Sequence, residues 1–139
     1  VSFSMGTIED NRLRDADTVL HVCSFTYDPS VELVWCTLHV GARLVVGKPD
    51  AVTDMAYLAR LFGENGITFT DMSPSLLDVY LKLSGPTALP STLRVLHAGG
   101  AASGAIVAGI AGTIALRLYG GSRRAETPRV AGSSACRSG

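Results

Sequence analysis

Hydrophobic and polar residues follow two alternating rhythms along this chain. Short runs of aliphatic and β-branched residues, typical of buried strands, are separated by longer segments whose apolar residues lie three and four positions apart, as in amphipathic helices. Five apolar runs predict strands, at 18–23, 43–46, 67–72, 93–97 and 113–118.

The segments between these strands predict four helices. Ser30, Thr53 and Ser73 are candidate N-caps of the first three, and Pro74 suits the first position of the third. The fourth is a helix of small residues near 103–111. The spacing predicts one buried apolar face on each of the first three helices: Val31, Val34, Trp35 and Leu38; Met55, Leu58, Ala59 and Phe62; Leu76, Leu77, Tyr80 and Leu81.

Strands that alternate with helices predict an α/β fold, with a mainly parallel sheet covered by helices on both faces. Parallel sheets bind ligands at the carboxyl ends of their strands, so the loops that follow the strands are the candidate sites. These loops span 24–30, 47–52, 71–74, 97–103 and 119–123.

Composition and charge indicate a boundary near residue 120. Of the 139 residues, 47% are hydrophobic and 17% are charged, which favours a folded protein, and 12 basic residues balance 12 acidic ones. That balance argues against a nucleic-acid partner. The Gly-, Ser- and Arg-rich segment 121–139 is predicted to be a disordered basic tail, after a core at 16–120 and an N-terminal linker or helix remnant at 1–15.

The cysteines and one uncharged stretch bear on the location of the protein. Three cysteines, at 23, 36 and 136, without a signal-peptide pattern indicate free thiols in a reducing, cytoplasmic compartment. Residues 98–116 carry no charge over about the length of a bilayer span. Repeated glycines make a turn, a packed helix and a strand the better interpretation, so we expect no membrane partner. A membrane-inserted protein is the alternative.

A zinc site is a further alternative. His21, Cys23, Cys36 and His39 have the right ligand types, but their order and spacing are unusual for zinc and both segments have the composition of a core. We therefore expect no metal site at these residues.

Four segments, in order, carry a family resemblance. Residues 17–50 include Tyr27-Asp28-Pro29-Ser30, close to a Phe-Asp-x-Ser motif, and 67–81 combine a strand with a Pro-led helix. Residues 89–101 (LPSTLRVLHAGGA) are similar to a Leu-Arg…Gly-Gly-Glu element, and 116–121 (LRLYGG) to the start of Asn-x-Tyr-Gly-Pro-Thr-Glu. Together they resemble the central part of an adenylation domain of a nonribosomal peptide synthetase, within the adenylate-forming (AMP-binding) superfamily.

The resemblance implies a fold, an activity and partners. The chain would be part of the large N-terminal subdomain of an adenylate-forming enzyme. Such enzymes use ATP and magnesium to convert an amino acid into an aminoacyl adenylate, which then passes to the phosphopantetheine thiol of a carrier-protein domain. Positioning and charge stabilisation carry that chemistry.

The resemblance also implies site residues. Asp28 would hold the α-ammonium group of the amino acid, although an Asx-turn before Pro29 is the structural alternative. Gly99, Gly100 and Ala101 would lie against the adenine and Tyr119 would stack on it; a plain turn and a core aromatic are the alternatives. The side-chain pocket would be lined by Pro29, Glu32, Asp71, Leu96, Ala98 and Leu118.

Two of these lining residues are acidic, Glu32 and Asp71. Buried carboxylates are costly without a cation, so we hypothesise a basic amino-acid substrate. The alternative for Glu32 is a solvated position near the start of a helix, where an acid is favoured.

Several positions depart from the family pattern. Arg117 replaces an adenine-contacting Asn, Ala101 replaces a common Glu, and Arg123 stands where the family has its magnesium-binding Glu. The quoted segments also include neither the phosphate loop nor the catalytic Lys of the family. We therefore expect the isolated chain to be catalytically incompetent, and a non-catalytic remnant or α/β interaction module is the alternative function.

Overall fold

The strands are β1 (Thr18–His21), β2 (Arg43–Val46), β3 (Phe69–Met72), β4 (Val95–Gly99) and β5 (Ala115–Tyr119). They form one sheet, ordered β2-β1-β3-β4-β5, in which every neighbouring pair is parallel. The computed structural model describes residues 2–26, 28–85, 88–99 and 115–119. Tyr27, the predicted helix near 103–111 and the predicted tail at 121–139 lie outside the described residues.

Four helices connect or precede these strands: α1 (Ser2–Asn11), α2 (Asp28–His39), α3 (Met55–Asn65) and α4 (Pro74–Ser84), with a short 3₁₀ turn at Ala51–Thr53 before α3. The predicted α/β fold with helices on both faces is confirmed. None of the helices within the described part of the chain has both the length and the apolar character needed to span a bilayer.

The helix starts agree with the sequence at one of three predicted caps. The Ser73 hydroxyl accepts a hydrogen bond from the Leu76 N–H at 3.2 Å, so Ser73 caps α4 as predicted. Thr53 was the wrong cap for α3, because it lies in the 3₁₀ turn and Asp54 accepts the bond from the Tyr57 N–H at 3.0 Å. The prediction that Ser30 caps α2 was also wrong, because α2 begins at Asp28 and Ser30 lies inside it.

Strand β2 matches its predicted run, whereas three other strands differ from theirs by two residues. Strand β1 ends two residues earlier than predicted, and β3 and β4 begin two residues later. Leu93 illustrates the cause. It is buried, but its N–H bonds to the Pro90 carbonyl in the preceding turn, so that N–H is not available to a neighbouring strand.

Helices α3 and α4 cover one face of the sheet with the apolar residues that the spacing predicts. Leu58, Phe62, Leu77 and Tyr80 are almost fully buried there. The strands contribute the side chains that alternate toward this face: Leu20, Met72, Leu96 and Ala98.

Helices α1 and α2 cover the opposite face, but α2 uses an unexpected side. Leu33 and Cys36 pack against Val19, Phe69 and Val95 of the sheet. The predicted apolar face of α2 was wrong, because Val31, Trp35 and Leu38 are 42%, 63% and 58% exposed. The buried side is instead small and partly polar, with Ser30 and Thr37 beside Leu33 and Cys36.

Candidate functional site

The amino-terminal edge of the sheet holds a saturated polar network. Asp17, buried just before β1, accepts two bonds from the Arg94 guanidinium, at 2.6 and 3.2 Å. It also accepts from the Thr68 hydroxyl at 2.8 Å and the Arg14 N–H at 3.0 Å. Burial alone would raise the pKa of Asp17, but these hydrogen bonds and the Arg94 charge outweigh it and lower the pKa.

The carboxyl-terminal edge holds a carboxylate in a different environment. Asp71, on β3, is 8% exposed and forms no ion pair with any residue that the structure describes. Burial, followed by the negative charge of Glu32 nearby, raises its pKa to about 6. Asp71 and Glu32, two of the residues predicted to line the substrate pocket, therefore influence each other electrostatically.

Two further buried groups near this edge lack partners. His21 is 2% exposed and Ser30 is 1% exposed, and neither His21 Nε2 nor Ser30 Oγ has a hydrogen-bond partner among the described residues. Burial lowers the pKa of His21, which makes its imidazole neutral at pH 7. The ring stacks on Phe25, with centroids 4.6 Å apart.

Cys23 lies near both Asp71 and Ser30 but has low reactivity. Its Sγ donates a weak hydrogen bond to the Asp71 carbonyl at 3.5 Å, and the Ser30 hydroxyl lies close to it without hydrogen-bond geometry. Burial, followed by the Asp71 charge, raises the pKa of Cys23 to about 11. The group is therefore a thiol at neutral pH and a poor nucleophile.

Helix α2 begins beside this edge and carries the other predicted polar residues. Asp28 is exposed and is the first residue of the helix, whereas the sequence placed it in a loop. Glu32, one turn further on, is half-buried, and its carboxylate accepts a hydrogen bond from the Thr7 hydroxyl of α1. Pro29 lies between them, in the first turn of α2.

Leu96 and Ala98 lie on the other face of the sheet. Both are fully buried and pack in the same cluster as Met72 and Leu77, under α3 and α4. Leu118 pairs with Ala98 in the sheet register. The structure therefore brings Asp71 and Glu32 together but places Leu96 and Ala98 on the opposite face from them.

The predicted adenine-contacting residues are described only in part. Gly99 and Tyr119 end β4 and β5 and pair with each other in the register, at the carboxyl-terminal edge. Gly100 and Ala101 lie outside the described residues. Arg117 pairs with His97 in the same pair of strands.

The four residues of the zinc alternative do not form a site. Within the described ranges, no three His, Cys, Asp or Glu side chains come together as a metal site. Cys36 is buried against Val19 and Phe69, and His39 is exposed at the end of α2. His97, predicted at a strand end, lies inside β4 and its Nε2 is 3.0 Å from the Asn11 Oδ1.

Sequence reasoning did not assign His21 or Ser30 to the site. The strand period contained a signal for His21, because it lies two residues after Val19 and four after Asp17 on one side of β1. Ser30 precedes the buried Leu33 by three residues, the helical spacing that places both on one side of α2. Because serine is common at N-caps, Ser30 was predicted to start the helix and its buried position inside α2 was missed.

Comparisons with known proteins agree with this arrangement. A profile of the family described as AMP-binding enzyme matches residues 1–119. Tyrocidine synthase 3 from Brevibacillus parabrevis is 39% identical over 95 residues, covering 68% of this chain and 2% of that protein. Phosphinothricin tripeptide synthetase PhsB from Streptomyces viridochromogenes is 35% identical over 85 residues, covering 61% of this chain and 7% of its own length.

Solved structures share the fold. The nonribosomal peptide synthetase FmoA3, in its AMPPNP-bound form, superposes with a TM-score of 0.73 at 22% identity, covering 84% of this chain and 13% of that one. IdnL1 gives 0.70 at 17% identity, covering 84% and 25%. The chain thus spans a small part of each relative. The resemblance to synthetase adenylation domains is confirmed, and the match over residues 1–119 shows that this chain belongs to the AMP-binding enzyme family.

Proposed function

We propose that this chain is the amino-acid-facing and adenine-facing part of an adenylation domain. That domain activates an amino acid with ATP and passes it to a carrier-protein thiol. The observation that carries the proposal is the contrast between the sheet edges in a chain of this family. Polar groups saturate one another at the amino-terminal edge. At the carboxyl-terminal edge, among the described residues, Asp71 has no ion pair and two buried side-chain atoms have no hydrogen-bond partner.

The position of that edge supports the proposal. Parallel α/β sheets bind ligands beyond the carboxyl ends of their strands, where the N-termini of the following helices also lie. Unpartnered polar groups at the opposite edge would cost stability with no ligand to offset them. The destabilisation from polar groups without partners at the carboxyl-terminal edge is therefore best explained by a substrate that binds there.

Asp28 is proposed to hold the α-ammonium group of the amino acid. It is exposed at the first position of α2, so its carboxylate is available to a cationic ligand. A charge-assisted hydrogen bond from the ammonium would give both affinity and orientation. An acidic residue is also favoured at a helix N-terminus, which keeps the ligand-free helix stable.

Glu32 and Asp71 are proposed to select a basic side chain. Asp71 is almost fully buried, and the Glu32 charge raises its pKa further. A cationic side chain placed between them would relieve both the repulsion and the missing ion pair. Ornithine-like and lysine-like amino acids have this chemistry.

The adenine of ATP is proposed to bind beyond the ends of β4 and β5. Gly99 and Tyr119 are neighbours there, which suits a base that needs close backbone approach on one side and stacking on the other. ATP supplies the activated phosphate in this family, with magnesium. The described residues offer no cluster of three or more His, Cys, Asp or Glu for that ion, so we assign no residue of this chain to it.

Catalysis is proposed for the larger domain and recognition for this chain, since the chain covers 13% and 25% of the matched solved structures. The test is amino-acid-dependent ATP–pyrophosphate exchange by the natural protein that carries this chain, measured with the full set of amino acids. We expect exchange with basic amino acids. Exchange with no amino acid of the full set would favour a non-catalytic remnant or interaction module.

A double variant of that protein tests the proposed selection of basic side chains. Glu32→Gln combined with Asp71→Asn should reduce exchange with ornithine and lysine much more than exchange with neutral amino acids. Lys82→Gln, in an exposed ion pair on α4, is the control. An unchanged preference for basic amino acids in the double variant would contradict the role of these carboxylates.

A further inference from the structure

We infer that His21 and Ser30, together with Asp71, form a binding site for a primary ammonium group. This inference rests on the proposed function, because the ammonium would be the side-chain end of the amino-acid substrate. It adds two specificity-determining residues, His21 and Ser30, to the pocket residues proposed above.

The three residues share one place in the fold. Strands β1 and β3 pair Val19 with Phe69 and Leu20 with Thr70, so the next residues along them, His21 and Asp71, are neighbours. Both alternate to the face where Val19 and Phe69 pack under α2. Adjacent strands lie about 4.8 Å apart, which brings the two side chains within reach of one ligand atom.

Ser30 covers the same pair of strands from α2. It lies one helical turn before Leu33, which packs over Val19 and Phe69. Because α2 runs back across the sheet from its carboxyl-terminal edge, Ser30 lies toward His21 and Asp71. Its proximity to Cys23, which bonds to the Asp71 carbonyl, agrees with this position.

The unpartnered atoms at this place stand out from the other buried polar groups. Thr37 donates to the Leu33 carbonyl at 2.6 Å, and Thr70 donates to the Leu20 carbonyl at 3.1 Å. Among the side chains that the structure describes, the buried nitrogen and oxygen atoms without a partner are His21 Nε2 and Ser30 Oγ. Each such atom is costly, so two beside an unpaired carboxylate indicate a ligand with several donors.

An ammonium group fits the acceptors that are available. It has three N–H donors and one positive charge. The Asp71 carboxylate supplies one acceptor and, with the charge of nearby Glu32, the countercharge. The Ser30 hydroxyl supplies a second acceptor. His21 is neutral because burial lowers its pKa, so with the proton on Nδ1 its Nε2 accepts the third bond. A guanidinium group, with five donors in a planar fork, suits paired coplanar acceptors instead.

The test uses the whole 139-residue chain and n-butylammonium as the probe, with binding followed through the ¹⁵N shifts of the His21 ring. Tetramethylammonium, a cation without N–H donors, and n-butanol, a neutral molecule, are the comparison ligands. We expect saturable binding of n-butylammonium alone. Binding of tetramethylammonium with equal affinity, or no saturable binding of n-butylammonium, would overturn the inference.

Variants separate the two acceptors. His21→Phe and Ser30→Ala should each weaken n-butylammonium binding about tenfold, the loss of one hydrogen bond to a charged group. His21→Gln and Ser30→Thr, which keep an acceptor, should bind within about threefold of the natural chain. His39→Phe, at an exposed position on α2, is the control. Natural affinity in both His21→Phe and Ser30→Ala would contradict the site.

The outcomes also separate this inference from the proposed function. Pyrophosphate exchange with a neutral amino acid, together with no binding of n-butylammonium, would remove the ammonium site and leave amino-acid activation in place. Binding of n-butylammonium without exchange for any amino acid would remove activation and leave the site. The probe contains no α-amino-acid group and needs no ATP, so it does not depend on the activity.

Discussion

Asp17, just before β1, and Asp71, on the neighbouring β3, are both buried carboxylates, one at each edge of the sheet. At the amino-terminal edge, Asp17 receives hydrogen bonds from Arg94, Thr68 and the Arg14 backbone, and its pKa is lowered. At the carboxyl-terminal edge, Asp71 faces burial and the Glu32 charge, and its pKa is raised to about 6. The same residue type is stabilising at one edge and costly at the other.

The difference separates polar groups that stabilise the fold from those that we propose to bind a ligand. The Asp17 network joins the starts of β1, β3 and β4 and leaves no acceptor for an incoming ligand. The Asp71 region has a charge and two buried atoms that find no partner in the described part of the chain, and binding of a cation there would recover free energy. Unsatisfied groups at one edge, with satisfied groups at the other, are therefore a better indicator of the site than acidity alone.

The largest effect is expected at the saturated edge. Arg94→Met should lower the free energy of unfolding by about 3 kcal/mol at pH 7, because Asp17 would remain buried with its main partner removed. Urea denaturation measures this. Lys82→Met, which breaks an exposed pair on α4, should change it by less than about 0.5 kcal/mol. Equal effects of the two variants would remove the contrast between network and surface pair.

Asp71→Asn should act in the opposite direction, raising the free energy of unfolding by about 2 kcal/mol above pH 6. The pKa of Asp71 is about 6 in the folded chain, against an ordinary value of 3.8. Between these values the folded state keeps a proton that the unfolded state has lost, so stability falls as pH rises. Denaturation across pH 4 to 7 should show this fall in the natural chain and not in the variant.

The sign of the Asp17 contribution provides the control for that measurement. Its lowered pKa means that its contribution is present above the ordinary value and is lost as pH falls through the folded value. The Asp71→Asn variant should therefore keep the acid loss of stability below about pH 4. A variant that lost this acid limb as well would show that the two carboxylates are coupled.

Two serines offer a smaller test of the same contrast. Ser30→Ala should raise the free energy of unfolding by about 1 kcal/mol, because it removes a buried hydroxyl that has no partner among the residues the structure describes. Ser73→Ala should lower it by about 1 kcal/mol, because Ser73 caps α4. Thermal or urea denaturation of both variants measures the difference. A loss of stability in Ser30→Ala would show that this hydroxyl has a structural partner.

The smallest effect on the free energy of unfolding is expected on the exposed side of α2, the helix that begins beside the carboxyl-terminal edge. Trp35→Gln should change the free energy of unfolding of this chain by less than about 0.5 kcal/mol, since Trp35 is 63% exposed. Leu33→Ala, on the buried side of the same helix, should lower it by about 2 kcal/mol. Equal losses of stability in the two variants would show that the exposed apolar side of α2, with Val31, Trp35 and Leu38, is covered in solution.

Helices α3 and α4 show where sequence reasoning succeeded. Leu58 and Phe62 of α3, and Leu77 and Tyr80 of α4, lie at helical spacing and carry the largest buried side chains of these helices, whereas Val79 and Leu83 of α4 are 44% and 71% exposed. Only one orientation buries the apolar stripe, so local pattern and tertiary packing agree. The Ser73-Pro74 start of α4 was predictable for the same reason, because capping chemistry acts within one turn.

Helix α2 shows where sequence reasoning failed. It has apolar residues on two sides, Val31 and Trp35 on one and Leu33 and Cys36 on the other, so periodicity does not decide which side meets the sheet. The sheet surface under α2 decides which side is buried. Val19 and Phe69 of that surface pack against the side with Leu33 and Cys36. The choice also buries Ser30, which the capping preference had placed at the helix start.

The sequence by itself determined the order of strands and helices, the parallel sheet and the family, because short-range patterns and motif spacing encode them. It also identified Glu32 and Asp71 as a pair, through the resemblance. Only the tertiary structure decided that the register of β1 and β3 carries His21 toward Asp71, that Ser30 is buried, and that Leu96 and Ala98 lie under the other helix layer. These depend on strand register and helix orientation, which are fixed by contacts between residues about 40 to 50 positions apart along the chain.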